Sequence, residues 1–410
     1  MPDDRVSEAV EQAARRSYGR LLAFIAARSR DVTASEDCLA DAFHAALTTW
    51  PRDGVPDNPD AWLLTVARRR AIDLARRATI RQQAEPDLIL AAEEAGAMID
   101  ATEFPDERLK LLFVCAHPAI DAAMHTPLML QTVLGLNAGR IASAFLVSPD
   151  AMGRRLSRAK AKIRDAGIPF EVPEGKQLPA RLHAVLDAIY AAYGSGWDDL
   201  ADPHSRWLPG EAISIGRTLI ELMPNEPEAL GLLSLMLHCE ARRDARRDHL
   251  DNYVPLSEQD VARWSQPMIE QAERLLAAAA KASRIGPFQL EAAIQSAHAQ
   301  RALTGTTDWQ AIALLYEGLV RMAPTIGALV GRAAALSEAR GADVGLAGLE
   351  ELQAERVATY QPYWALRAHL LARLRRSDEA QEAYARAIGL CSDDAMRKFL
   401  IARAAEIKTS

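Results

Sequence analysis

The residues of this 410-residue chain whose types and spacing could do chemistry are cations set on helices, and the chemistry is the holding of nucleic-acid phosphates. Residues 68–81 hold six arginines against one acid, Asp73. Residues 151–164 hold six lysines and arginines and no acid. The second cluster follows Ser148-Pro149-Asp150, which reads as an N-cap, a proline at the first helical position and an acid near the positive helix end. A short helix and a tight turn precede it. That is the pattern of a helix-turn-helix whose second helix enters a DNA major groove. Asp150, Ala151, Arg154 and Arg155, beside the cap Ser148, would approach base edges, while Arg158, Lys160 and Lys162 suit phosphates. In the first cluster, helical periodicity puts Arg69, Arg76 and Arg77 on one side and turns Arg68 and Arg70 elsewhere.

The net charge of −7 would argue against nucleic acid if it were spread evenly. It is not. Residues 1–165 carry 22 Lys and Arg against 23 Asp and Glu, and residues 166–410 carry 26 against 32. Local potential steers DNA, so two basic helices outweigh the total. Residues 180–410 show no nucleotide fingerprint, metal cluster or hydrolase constellation, and neither a cofactor nor an enzyme activity is expected of the chain. Cys38, Cys115, Cys239 and Cys391 are too scattered for a disulfide framework. Cys115 and His117 could share a metal, but their neighbours Leu111, Leu112, Phe113 and Val114 read as a buried helix. There is no apolar run of about 18 residues and no signal-like N-terminus, so a cytoplasmic protein without a membrane span is expected.

Alanine and leucine dominate and aromatics make up 6%, which favours an all-α chain. Residues 7–50 read as two or three amphipathic helices, one starting at Ser35-Glu36-Asp37 and carrying Leu39, Ala42, Phe43, Ala46, Leu47 and Trp50 on one face. Pro51 to Pro59, with three prolines and a glycine, reads as a loop, and the arginine-rich helix begins near Asp60. Five segments are expected: a helical domain at 1–81, an acidic linker at 82–105, a second helical unit at 106–166, a linker at 167–179 and a helical array at 180–410. The second unit reads as helices at 106–114, about 121–135, 138–144 and from 149, with Asn137 as a cap and Ile141, Leu146, Met152 and Leu156 as its small core. In the array, Ala380, Tyr384 and Ala387, with Trp364 sixteen residues before Ala380, match a helix-turn-helix repeat of about 34 residues. Ile312, Tyr316, Leu319 and Pro324 match it partly, and the alternative for the array is an irregular α-bundle.

The N-terminal residues resemble a family. Ser35 to Pro51, followed by Asn58 to Leu74, is similar to region 2 of alternative sigma factors of the extracytoplasmic-function type. Arg140 to Ile163 is similar to their region 4.2. Asp106 to Ala119, Ile220 to Met236, Leu290 to Ala299 and Asp308-Trp309 resemble the subgroup with a long tetratricopeptide-like C-terminal extension. Two stretches depart from the pattern: Tyr193-Gly-Ser-Gly-Trp197 replaces an Asn-Glu-Gly-Tyr-like motif, and Ala40-Asp41 stands at a usual Gln-Glu pair.

The resemblance implies bacterial RNA polymerase core and promoter DNA as partners. It implies polymerase contact through Asp37, Asp41, His44 and Trp50. It implies that Asn58 and the loop before Trp62 form a pocket for a flipped −10 base, with Arg68, Arg69, Arg70, Arg76 and Arg77 on the backbone. The helix from Pro149 would read the −35 element. The array could bind a protein or small-molecule signal, or pack on the sigma domains and set their placement. A helical-repeat scaffold and a polymerase-independent DNA-binding regulator remain as alternatives.

Overall fold

The structure, a computed structural model, describes residues 2–82, 106–145, 147–198 and 208–408. Among these the chain is all-α, with no strand, and it separates into two compact units, residues 1–195 and 196–410. The expected acidic linker at 82–105 lies, but for residue 82, outside the described residues, as does Leu146.

In the first unit α1 (Pro2–Ser29), α2 (Val32–Asp53) and α3 (Pro59–Gln82) enclose one core of Leu21, Leu22, Phe24, Leu39, Trp50 and Leu63. The helix expected to start at Ser35 starts three residues earlier. Asp31 is the cap, its carboxylate accepting from the Ala34 amide at 3.0 Å, and Ser35 is buried inside the helix with its hydroxyl on the Asp31 carbonyl. An ionised Asp satisfies the orphan amides of a first turn and favours its positive end, so it wins over the serine downstream. Pro51 is not in a loop. It sits in the last turn of α2, which closes at Gly54 with φ +87°. So near the end, the proline forfeits a single backbone bond. The Ser17 hydroxyl donates to Asp60 at 2.6 Å and ties α1 to the first turn of α3.

The second part of this unit is α4 (Arg108–Cys115), α5 (Ala122–Thr132), α6 (Ala138–Ala144) and α7 (Pro149–Asp165). Asp121, Asn137 and Ser148 cap the last three of these. Leu109, Leu112, Phe113, Leu128, Ile141, Met152, Leu156 and Ile163 are all buried. After 3₁₀ residues at 175–177 comes α8 (Leu178–Asp198). Its Arg181 is buried and gives its guanidinium to the Phe113 carbonyl, one of the last carbonyls of α4, with Nε at 3.1 Å. Such end carbonyls have no partner within their own helix.

The second unit runs from α9 (Leu208–Leu222) and α10 (Pro227–Glu240) through α11 (Gln266–Ala280), α12 (Pro287–Ala299), α13 (Arg301–Thr304), α14 (Trp309–Met322), α15 (Ile326–Arg340), α16 (Ala342–Glu350), α17 (Ala354–Val357), α18 (Gln361–Arg373), α19 (Ser377–Leu390) and α20 (Asp394–Lys408). It is not helical throughout. Residues 241–265 form 3₁₀ turns and one bridge, Arg247 to Tyr253, pinned by Arg301 on the carbonyls of Ser257 (2.7 Å) and Gln259 (2.8 Å). The Glu228 carboxylate of α10 accepts from the Phe288 and Gln289 amides at 3.0 and 3.1 Å, an anion on the positive end of α12. Near the C-terminus α18 and α19 pack as a hairpin, with Ala380, Tyr384 and Ala387 all buried in its core.

Candidate nucleic-acid interface

The two cationic clusters fold onto α3 and α7, both in the first unit. α7 splits its residues by face. Met152, Leu156, Ala159, Lys160 and Ile163 are buried, three, four and seven positions apart as a packed helical stripe requires. Asp150, Arg154, Arg155, Arg158 and Lys162 are exposed, and Ala151 is half-buried. Arg154, Arg155, Arg158 and Lys162 have no acidic partner among the described residues. A helix with one face packed and four unneutralised cations on the other can lie in a groove with its charges toward phosphates. The Ser148 hydroxyl is spent on the cap, accepting from the Ala151 amide at 3.3 Å.

Lys160 is the exception. It stands behind the exposed face with its ammonium 2.5 Å from the Glu36 carboxylate of α2. The two side chains are only 10% and 17% exposed, so Lys160 offers nothing to a phosphate in this arrangement. Sequence spacing grouped it with Arg158 and Lys162. Residues 156, 160 and 163 belong to the stripe that faces inward, and a lysine there needs a buried acid, which only the neighbouring helix could reveal.

On α3, Arg69 and Arg70 are exposed and Arg68 is half-buried. Arg70 leans 3.9 Å from Asp41 of α2, with both side chains more than half exposed, so solvent weakens that pair. Arg76 and Arg77 lie on the helix, but their side chains are outside the described residues. Asn58 caps α3, its Oδ1 accepting from the Ala61 amide at 3.0 Å, and it is exposed beside the 54–58 loop. Trp62 packs edge-on against Trp50, with ring centroids 5.4 Å apart, and is core rather than a stacking platform.

On α2, Asp37, Asp41 and His44 are exposed along one stripe, four and three residues apart. Trp50 is 1% exposed and cannot touch a partner without unfolding its domain. Cys115 is a buried thiol 3.5 Å from the Thr132 hydroxyl, and burial pushes it up to about 12. His117 spends its Nδ1 accepting the Ala119 amide. No group of metal ligands forms among the described residues. No helix among them is long and apolar enough to cross a membrane.

A three-helix domain with a cationic third helix, joined to a four-helix unit with a cationic last helix, has the local charge that a DNA-directed protein would need. Comparison with known families makes it specific. Residues 14–80 match Sigma-70 region 2, the region through which sigma-70 factors of transcription initiation bind RNA polymerase core. Residues 181–280 match a family of unknown function, DUF6596, which starts on α8 and ends with α11. An uncharacterized protein of Rhizobium meliloti (strain 1021) is 38% identical over 392 residues, covering 94% of this chain and 92% of its own. No solved structure gives a significant match.

Proposed function

We propose that this chain is an alternative sigma factor of the extracytoplasmic-function type, which directs polymerase core to a promoter set through a −10 reader on α3 and a −35 reader on α7. The observation that carries this reading is the exposed face of α7, where Arg154, Arg155, Arg158 and Lys162 have no ion-pair partner among the described residues. Asp150, Ala151, Arg154 and Arg155, in the first turns, are the residues for base edges, with Arg158 and Lys162 on phosphates. α6, residues 145–148 and α7 supply the helix-turn-helix. Asn58, Arg68, Arg69, Arg70, Arg76 and Arg77 serve the −10 strand. There a flipped base costs a few kcal/mol, which backbone cations and a pocket must offset. Asp37, Asp41 and His44 form the polymerase-facing stripe, with Trp50 supporting it from behind.

Residues 1–81 act as region 2 and residues 106–166 as region 4, with 82–105 and 167–179 as linkers. Residues 180–410 are a tetratricopeptide-like regulatory extension that takes a protein or small-molecule signal. The test is run-off transcription with purified core polymerase on a fragment pool from the encoding genome, with the full chain and with the chain ended after Asp198. Promoter-specific transcripts from the full chain are expected. Their absence, with no co-elution of chain and core, would return the reading to a scaffold or a polymerase-independent regulator.

A further inference from the structure

In the second unit the main helix contacts join elements close in sequence, as in a linear array. The 241–265 segment breaks that order. It leaves α10, turns back between Arg247 and Tyr253, and reaches α20 near the other end of the array. The Arg247 guanidinium lies 2.5 Å from Asp393, just before α20, and the two side chains are 18% and 25% exposed. Asp393 is fixed by its own duty at the start of α20, where it accepts the Met396 amide at 2.6 Å. The Tyr253 ring meets Phe399 edge-on, with centroids 5.4 Å apart. Glu258 reaches Arg403 at 2.6 Å. The two ion pairs join residues 146 and 145 apart in the chain. On its other side the segment is fastened to α13, where Arg301 holds the Ser257 and Gln259 carbonyls.

The same segment holds polar groups that have no partner. Eight buried side-chain nitrogens and oxygens lack a hydrogen bond among the described residues. Five of them belong to this segment or to His238 just before it: both His238 ring nitrogens, the Trp264 indole N–H, Gln259 Oε1 and one Arg247 Nη. Buried polar groups in folded chains are nearly all paired, so this concentration opposes the closed arrangement. Lifting the segment would let water reach Arg247 and Gln259 first. Three contacts to α20 thus favour closure, and unmet polar groups favour opening. Opposed contributions of this kind leave two conformations close in free energy.

We propose that residues 246–260 are a strap that clasps α20 in the free chain and yields that face to a protein partner when it lifts. The face presents the Asp393 carboxylate, the Phe399 ring and the Arg403 guanidinium. It fits what now covers it: an extended segment with an arginine and an aromatic ring six residues apart and an acid beyond them. A small molecule is the poorer fit, because residues 393 to 403 span about 15 Å of helix. Closure joins the two ends of the array, so a partner on α20 would also loosen the packing at α13. The inference deepens the reading of residues 180–410 as a signal-taking extension and rests on it for its purpose. The strap itself is a property of the second unit alone.

Hydrogen exchange of the full-length chain tests the clasp. Arg247→Ala with Tyr253→Ala should speed exchange about tenfold at the Asp248 and Val254 amides, which bond within the strap, while α14 and α15 keep their protection. Phe399→Ala, on the other side of the clasp, should also speed exchange at the strap amides, and adding it to Tyr253→Ala should change little, because both remove one contact. A fluorescent peptide of residues 244–261 should bind the Arg247→Ala, Tyr253→Ala chain far better than wild type, whose own strap occupies the face. The same peptide carrying Arg247→Glu should bind neither. Unchanged exchange in the variants overturns the clasp. Exchange that rises through α14 and α15 as well overturns it too, since the unit then unfolds and no strap moves by itself. Strap exchange as expected with no peptide bound overturns the docking face. If exchange and binding both follow but open and closed chains transcribe equally with core polymerase, the strap stands and the regulatory reading of the extension falls.

Discussion

Arg154 and Arg158 leave α7 on its exposed side, and Lys160 leaves it on the packed side. The difference predicts opposite behaviour. Arg154→Ala with Arg155→Ala should cut −35-dependent transcription strongly, each contact being worth roughly 1–3 kcal/mol, while binding to core polymerase and thermal stability stay as they were. Lys160→Ala should lower stability by roughly 1–3 kcal/mol, because it strands a largely buried Glu36, whereas Arg158→Ala should not. Denaturant unfolding of the three variants separates these roles. In the second unit, His238 is 1% exposed, with both ring nitrogens unpaired and Glu273 3.6 Å away, beyond hydrogen-bond reach. Burial, helped by Arg242, takes its ring from the ordinary 6.5 down to about 4, and burial with Arg242 and Arg301 does the same to His298. The unfolded chain therefore binds more protons than the folded one between these values. Stability is full above pH 6.5 and falls as pH drops toward 4. His238→Leu should reduce that slope and raise stability at pH 5, since it removes two unpaired nitrogens and a titrating group together. An unaltered slope across pH 4.5–7.5 in that variant would show that His238 is not the source.

At the scale of elements, α8 is the one whose assignment matters most. Arg181 opens the stretch shared with the family of unknown function, yet its guanidinium serves the C-terminal end of α4. There a cation offsets the negative helix end and occupies a carbonyl that has no partner in its own helix. A chain ended after Asp198 should keep the 106–166 unit stable. A chain ended at Gln177 should weaken it, and Arg181→Ala in the full chain should reproduce much of that loss, roughly 1–3 kcal/mol for one buried carbonyl left unmet. Hydrogen exchange at the α4 amides reads this directly. If truncation at 177 leaves them as protected as truncation at 198, α8 belongs with the extension alone.

For the whole molecule, a net charge of −7 means that the proposed DNA affinity has to come from local cations. Promoter-fragment binding should fall with salt at a slope near −0.9 per phosphate contact. A flat slope in an electrophoretic or anisotropy titration would remove both cationic helices from the DNA. Residues after 198 carry most of the excess acid, so removing them should change promoter activity in one direction. An unchanged activity would leave the extension as a module for another partner.

Local signals were legible because their physics is local. Asn137 and Ser148 announce helix starts through the short side chains that reach back to an amide, and the structure places both caps there. The all-α class follows from composition and from apolar spacing, which a helix satisfies residue by residue. Where several local signals competed, the reading slipped: Asp31 outbids Ser35 as a cap, and Pro51 ends a helix instead of opening a loop. The cationic content of α3 and α7 is likewise written in the residues, since charge does not depend on packing. Which of those cations faces solvent is not. Lys160 and Trp50 lie on stripes whose inward side is set by a neighbouring helix, and no spacing rule names the neighbour. The pairing of Glu36 with Lys160, 124 residues apart, and of Arg181 with Phe113, 68 apart, exists only because distant segments meet in space. Sequence determined the elements and their charges. Tertiary packing alone decided which charges are spent holding the chain together and which are left facing solvent.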